Sequence, residues 1–135
     1  MTIDTHAVTV LIADQNSAFC LATSRFITAL PGYEVVSRPL APGEVMAAYA
    51  LYKPDIVLMS FAFCRQFSNL NLVRRLKHLI DAPQVIIVAP VDDPAYAEHS
   101  MRLGADGCVA RERLEFALPA LMDELSVVCT SRLMA

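Results

Sequence analysis

The chain has 135 residues, a length that fits one domain built around a single core. Its formal net charge is −3 and its charges form no blocks of one sign, so nucleic acid and anionic membranes are not expected as direct ligands. Hydrophobic residues make up 56% of the chain, a high share that is expected to leave apolar surface for a partner.

Membrane, export and metal-binding classes are also not indicated. The apolar runs are no longer than strands, and Met1 to Ala7 lack the basic-then-apolar pattern of a signal peptide. The four cysteines are widely spaced, without a zinc or thioredoxin motif, and are expected to pack as small hydrophobic residues. We expect a cytoplasmic protein with no metal and no cofactor.

The predicted elements begin with an apolar run that ends on Asp14 and Gln15. A run without polar alternation is typical of a central strand that is covered on both faces. Four similar segments follow along the chain. The predicted strands are residues 8–13, 33–37, 55–60, 84–89 and 107–110.

Segments with apolar residues at helical spacing alternate with these strands and predict five helices. Ser17 is the predicted N-cap of the first helix, and Pro31 with Gly32 ends it. Pro42 is placed in the first turn of the second helix, and Lys53 before Pro54 ends it. The predicted inward-facing residues are Phe19, Ala22, Phe26 and Leu30 in the first helix, and Val45, Ala48, Tyr49 and Tyr52 in the second.

A loop is predicted from Phe61 to Phe67, ahead of the third helix. Asp93 is the predicted cap of the fourth helix, with Pro94 at its first position, and Gly104 closes it. Pro119 is expected to kink the fifth helix, and residues from 126 onward are expected to fray. The predicted inward-facing residues are Leu72, Val73, Leu76, Leu79 and Ile80 in the third helix, and Leu114, Leu118, Leu121, Leu125 and Val128 in the fifth.

Five strands alternating with five helices predict an α/β fold, a three-layer doubly wound (βα)5 sandwich around a parallel five-stranded sheet. The expected strand order is 2-1-3-4-5, with a switch point between strands 1 and 3. Asp14 and Ser60 then lie side by side at the carboxyl edge of the sheet. The domain is placed at residues 8–127, with residues 1–7 and 128–135 as terminal tails.

Four segments near this edge carry a resemblance. They are residues 10–16 (VLIADQN), 54–60 (PDIVLMS), 85–89 (VIIVA) and 104–111 (GADGCVAR). In these segments, and over about Val8 to Leu125, the chain resembles the CheY-like receiver domain of bacterial two-component response regulators, closest in style to LuxR/NarL-type regulators. The resemblance implies a flavodoxin-like fold and a role in signal transduction or transcription regulation.

The resemblance also implies a phosphorylation site, and the chain departs from it. Ser60 stands where a receiver has its phosphoacceptor aspartate. Asp14 is followed by Gln15, whereas the family has two adjacent acids that hold magnesium. Magnesium favours about six oxygen ligands, commonly including carboxylates, so this degenerate acidic pocket is not expected to bind it. Without the aspartate no acyl phosphate can form, and we expect neither small phosphodonors nor a histidine kinase to phosphorylate the protein.

Three further positions depart from the family pattern. Ala89 replaces the serine or threonine that contacts the phosphoryl group, and Cys108 replaces the aromatic switch residue. Arg111 replaces the lysine after strand 5. Two arrangements of Arg111 and Asp14 are open: a direct ion pair that locks one conformation, or separate solvated side chains. Ser60 is not expected to act as a nucleophile, because the topology places no histidine base near this edge.

The resemblance points to helix 4, strand 5 and helix 5 as the partner face. The fifth predicted helix is apolar nearly all round, and such a helix is usually buried on more than one side. It is expected to form a homodimer or to dock on a partner, including a possible downstream DNA-binding domain outside this chain. The residues assigned to this face are Met101, Phe116, Pro119, Ala120 and Val127.

Two other interpretations stay open and one is disfavoured. The domain could sense a small molecule, held in the emptied pocket or near Phe61 to Phe67. Cys108 or Cys64 could sense oxidation, which would require an exposed thiolate with a low pKa. An enzyme such as a flavin or phosphoryl-transfer protein is disfavoured, because residues 15–18 form no glycine-rich phosphate loop.

Overall fold

A computed structural model describes residues 7–64 and 72–134, with side chains described as far as residue 126. Five parallel strands form one sheet in the order β2-β1-β3-β4-β5, which confirms the predicted fold class. The third strand begins one residue later than predicted, and the other four have the predicted bounds. The strands are β1 Val8–Ala13, β2 Tyr33–Ser37, β3 Ile56–Ser60, β4 Gln84–Ala89 and β5 Gly107–Ala110.

Helices cover both faces of the sheet, and short 3-10 turns at Pro42–Glu44 and Arg111–Arg113 precede two of them. None of the described helices is long and apolar enough to span a bilayer. The helices are α1 Ser17–Thr28, α2 Val45–Tyr52, α3 Phe61–Cys64, α4 Leu72–Lys77, α5 Pro94–Arg102 and α6 Leu114–Met134.

The sheet separates two apolar clusters, because successive residues of a strand point to opposite faces. In β3, Ile56 and Leu58 pack in the cluster under α1 and α6, whereas Val57 and Met59 pack in the cluster under α2 and α4. Every residue of β3 and β4 is buried. The apolar runs at residues 56–59 and 85–89 are thus explained by burial on both faces.

The face of α1 differs by one position from the prediction. Cys20, Thr23 and Ile27 are buried, whereas Ala22 is exposed and the two phenylalanines are half-buried. The N-cap is Asn16 rather than Ser17, since the Asn16 side chain accepts a hydrogen bond from the Phe19 N–H at 3.0 Å. Two overlapping apolar stripes run along this helix, and the sequence did not show which one the sheet covers.

Other element boundaries and inward-facing positions also differ from the predicted ones. The predicted loop after β3 begins with the helical turn of α3, and Phe67 lies outside the described residues. Helix α4 ends at Lys77, so Ile80 is not on its inner face and is fully exposed. Tyr52, predicted to face inward, is also exposed. The last helix is continuous to Met134, so the expected fraying from residue 126 is not seen in its backbone.

The GADG segment fixes the join between α5 and β5. Gly104 has a φ of +103°, a conformation that L side chains rarely adopt, and it follows the end of α5 as predicted. Asp106 accepts hydrogen bonds from Lys77 Nζ and from the Val85 N–H, each at 2.8 Å. A Cβ on Gly107 would lie 3.0 Å from Leu121 Cδ2, so this glycine allows α6 to pack closely.

Candidate functional site

The carboxyl edge of the sheet brings Asp14 and Arg111 together. Asp14 follows β1 and is buried, with 7% of its surface exposed. Its Oδ1 accepts a hydrogen bond from the Asn16 N–H at 3.2 Å. Its Oδ2 lies 3.4 Å from Nη2 of Arg111, which follows β5. The structure therefore contains the direct ion pair, and not two separate solvated side chains.

Phe19 holds Arg111 on its other side. The guanidinium carbon lies 4.2 Å from the centre of the Phe19 ring, a cation–π distance. Phe19 is half-buried in α1, where helical spacing predicts an inward-facing position. Its position three residues after the Asn16 cap brings it to the mouth of the site, a role that its apolar character alone did not reveal.

Ser60 is buried at the end of β3, with 7% of its surface exposed. Its Oγ accepts a hydrogen bond from the Phe63 N–H at 3.1 Å. The hydroxyl thus caps the short helix α3, as serine side chains do at helix starts. This contact gives Ser60 a structural task at the position that resembles the phosphoacceptor.

One histidine of α5, His99, contacts the residue that follows Ser60. The His99 ring packs edge-to-face against Phe61, the residue after Ser60, with 5.3 Å between ring centres. Tyr96 packs on Phe61 in the same manner at 4.8 Å. The sequence did not show that the side chains of α5 contact the first residue of α3.

Ala89 and Cys108 occupy the positions assigned to the switch. Ala89 is buried and pairs with Ala110 of β5. Cys108 is half-buried, and its sulfur lies 3.7 Å from Ser100 Oγ. Burial raises the pKa of the Cys108 thiol, and the Ser100 hydrogen bond offsets part of that rise. A raised pKa reduces the thiolate population, so the geometry does not favour redox sensing at Cys108.

Two other cysteines are buried. Burial raises the pKa of the Cys20 thiol, and the nearby Asp14 carboxylate raises it further. Cys64 is fully buried and its sulfur lies 3.2 Å from the Phe61 carbonyl oxygen. Neither has the exposure that a reactive thiolate requires.

A cavity of about 610 Å³ opens beside Ser60. Phe61, Val88, Pro90 and Tyr96 contribute apolar walls, and Arg111 contributes a cation. The cavity is larger than a phosphoryl group needs. Its size lies in the range of about 300–1,000 Å³ that is typical of small-molecule sites.

Metal ligands are sparse at this edge. Gln15 is exposed, and Asp14 is the one buried carboxylate among the described residues. Among residues 7–64 and 72–126, no three His, Cys, Asp or Glu side chains are grouped as a metal site would require.

The predicted partner face is partly exposed. Phe116 on α6 is 81% exposed and Met101 on α5 is 53% exposed. Ala120 is exposed and Pro119 is half-buried, while the side chain of Val127 lies outside the described residues. The Arg113 guanidinium lies 5.8 Å from the centre of the Phe116 ring and covers it incompletely.

The parallel sheet in this order, with helices on both faces, matches the CheY-like receiver fold. The structures and curated proteins that resemble the chain are receiver domains and regulators of the CheY, LuxR, NarL and DegU type. No protein-family profile matches the chain.

Three comparisons illustrate the likeness. The transcriptional regulatory protein DegU of Brevibacillus brevis is 23% identical over 129 residues, covering 93% of this chain and 52% of DegU. A chain from the complex of the CheA3 P1 domain with CheY6 of R. sphaeroides superposes with a TM-score of 0.79 at 22% identity, covering 90% of this chain and 98% of that one. A LuxR-family response regulator of Aurantimonas sp. SI85-9A1 has a TM-score of 0.77 at 23% identity, with coverages of 89% and 86%. The chain spans about half the length of the curated relatives it matches.

Proposed function

We propose that this chain is an atypical receiver domain that works without phosphorylation, as a protein-interaction module in signal transduction or transcription regulation. The observation that carries the proposal is the state of the site: a serine hydroxyl stands at the end of β3, and Asp14, the one buried carboxylate among the described residues, is paired with Arg111. The name of the relative DegU, a transcriptional regulatory protein, supports the regulatory part.

The chemistry of phosphoryl transfer supports the same conclusion. An acyl phosphate requires a carboxylate nucleophile, and Ser60 offers a hydroxyl that already caps α3. A metal that neutralises phosphoryl charge favours several oxygen ligands, and Asp14 is already engaged by Arg111. A phosphodonor would therefore meet neither a suitable nucleophile nor a ready metal site.

Incubation with acetyl phosphate and magnesium, followed by intact mass spectrometry, tests the proposal. We expect no stable mass increase of one phosphoryl group. A receiver that retains its aspartate and acidic pair, treated in parallel, shows that the phosphodonor is active. A phosphorylated Ser60 or Asp14 in the peptide map would overturn the proposal.

We further propose that the α5–β5–α6 face mediates association, as a homodimer or with a partner protein. Phe116 and Met101 expose large apolar side chains on the two helices that flank the edge strand β5. Buried aromatic residues commonly supply much of the binding energy at protein interfaces. The CheY6 structure was solved as a complex with another protein domain, which agrees with a partner role for this fold.

Light scattering across a concentration series tests the homodimer. We expect a concentration-dependent dimer whose dissociation constant rises in Phe116→Ser. Leu51→Ser is the matched control, because Leu51 is also highly exposed, at 72%, but lies on α2. Equal weakening by both substitutions would contradict this interface. A monomer at every concentration would leave a different protein as the partner.

A further inference from the structure

The cavity beside Ser60 combines apolar walls with a cation that is only partly satisfied. Phe61, Val88, Pro90 and Tyr96 provide the walls, and the guanidinium of Arg111 lies at the edge of the cavity. No carboxylate is among the described residues that line it. A ligand with an apolar body and one negative charge matches this lining better than inorganic phosphate, which would make no favourable contact with the apolar walls.

The aromatic wall is held in place before any guest arrives. Phe61 is 6% exposed and contacts both Tyr96 and His99 of α5, which pack edge-to-face on its ring. Edge-to-face pairs of this kind stabilise one arrangement of the rings. A preformed wall reduces the entropy that binding would otherwise cost.

Arg111 can receive a second anion. Its contact with Asp14 uses one nitrogen at 3.4 Å, which is long for a charge-assisted hydrogen bond, and the arginine side chain is 47% exposed. A guanidinium has five N–H donors, so an incoming carboxylate could form the two-pronged contact that the Asp14 pair lacks. Ser60 adds a hydroxyl donor at the cavity wall, because its oxygen already accepts from Phe63.

We propose that this cavity binds a small organic carboxylate, whose apolar body packs against Phe61 and Tyr96 and whose carboxylate pairs with Arg111. The ligand shares the guanidinium with Asp14 and weakens the attraction between Arg111 and Asp14. The ligand therefore favours a conformation in which the link between the ends of β1 and β5 is weakened. This inference does not depend on the proposed association face.

Amide chemical shifts in NMR titrations test the proposal, with phenylacetate and octanoate as probes. We expect saturable shifts at Ser60, Ala62 and Val88, with an affinity in the millimolar range or tighter. Phenylacetamide, which has a similar shape but no charge, is expected to bind at least about tenfold more weakly because it loses the charge-assisted contact. Inorganic phosphate is expected to cause no saturable shift at these amides.

Two variants and one control locate the site. Arg111→Gln is expected to weaken phenylacetate binding by at least about tenfold. Arg113→Gln removes an equal charge two residues away and is expected to leave the affinity unchanged. Ala62→Trp fills the exposed rim of the cavity while keeping Arg111, and is expected to abolish binding even if Arg111→Gln proves poorly folded.

Three results would overturn the proposal. The first is the absence of saturable shifts at these amides with either carboxylate. The second is phosphate binding as tight as phenylacetate binding, which would indicate a plain anion site. The third is equal weakening by Arg113→Gln and Arg111→Gln, which would indicate nonspecific attraction to positive charge.

Discussion

Arg111 Nη2 lies 3.4 Å from Asp14 Oδ2 and so joins the residues that follow β5 and β1 across the carboxyl edge of the sheet. The carboxylate is nearly buried, whereas the guanidinium is 47% exposed and rests on the Phe19 ring. An ion pair with one exposed partner is screened by solvent and contributes modestly to stability. The contact links the two strand ends across the edge of the sheet.

A double-mutant cycle measures this pair. Asp14→Asn and Arg111→Gln are each expected to lower the free energy of unfolding. Their coupling energy is expected to be at most about 1 kcal/mol, because one partner is exposed to solvent. Urea unfolding at low and high salt gives the values, and the coupling is expected to shrink as salt rises. A coupling near zero at low salt would show that the contact contributes nothing to stability.

Ser60→Ala tests the structural role of the hydroxyl. The substitution removes the acceptor of the buried Phe63 N–H and is expected to lower the free energy of unfolding by about 1 kcal/mol. Ser17→Ala is the control, because Ser17 is exposed at the first turn of α1. Equal unfolding midpoints for the Ser60→Ala variant and the parent protein would contradict a capping role.

Restoring carboxylates at the site is expected to create magnesium affinity. The double variant Ser60→Asp with Gln15→Asp places three carboxylates at this edge, the ligand type that magnesium favours. Isothermal titration calorimetry is expected to detect binding to the double variant and none to the parent. Ser60→Asp alone serves as the intermediate case. Equal magnesium binding by the parent protein would contradict the argument that its site lacks ligands.

The raised thiol pKa values predict low reactivity and a pH-dependent stability. Burial raises the pKa of Cys108 and of Cys20, so iodoacetamide is expected to label both more slowly than it labels a free cysteine. The unfolded chain loses these thiol protons at lower pH than the folded chain. The folded state is therefore favoured below the ordinary cysteine pKa of about 8.5, and stability falls as the pH rises above it.

Peptide mapping of labelled sites and urea unfolding over this pH range provide the measurements. The variant with Cys20→Ala and Cys108→Ala is expected to lose less stability at alkaline pH than the parent. Rapid labelling of Cys108 in the folded protein near neutral pH would revive its interpretation as a redox sensor.

Asp106→Ala tests the anchor in the GADG segment. Asp106 accepts from both Lys77 Nζ and the Val85 N–H at 2.8 Å, so its loss leaves two donors without their acceptor. We expect the free energy of unfolding to fall by about 2 kcal/mol, reduced from the fully buried case because both side chains are partly exposed. Glu98→Ala is the control, since its pair with Arg102 is far more exposed. Equal losses in the two variants would contradict the special role of Asp106.

The strands could be predicted from the sequence almost residue by residue, because continuous apolar runs suit a sheet that is buried on both faces. Asp14, Ser60 and Arg111 were predicted at one edge for the same reason, since their positions follow from strand order. The helix faces were harder to predict. In α1, Phe19 and Cys20 belong to adjacent stripes of similar hydrophobicity, and tertiary packing decided which stripe the sheet covers.

The aromatic wall of the cavity could not be predicted from the sequence. Phe61, Tyr96 and His99 are distant in the chain, and their contact depends on side-chain direction and on how α5 lies across the sheet. Ile80 was misassigned for a related reason: helical spacing continued past the last residue that keeps helical geometry. Apolar spacing indicates which residues can share a face, but it does not indicate where a helix ends.

Lys53 is the one non-glycine residue with positive φ in the described part of the chain, at +46°, and it links α2 to the buried Pro54. A lysine in this left-handed conformation lowers the free energy of unfolding relative to glycine or asparagine at the same position, typically by about 1 kcal/mol. This turn lies at the amino end of β3, the opposite end of that strand from Ser60. Replacing Lys53 by glycine or asparagine is therefore a way to raise thermal stability, for crystallisation or ligand screening, without changing the site at the carboxyl edge of the sheet.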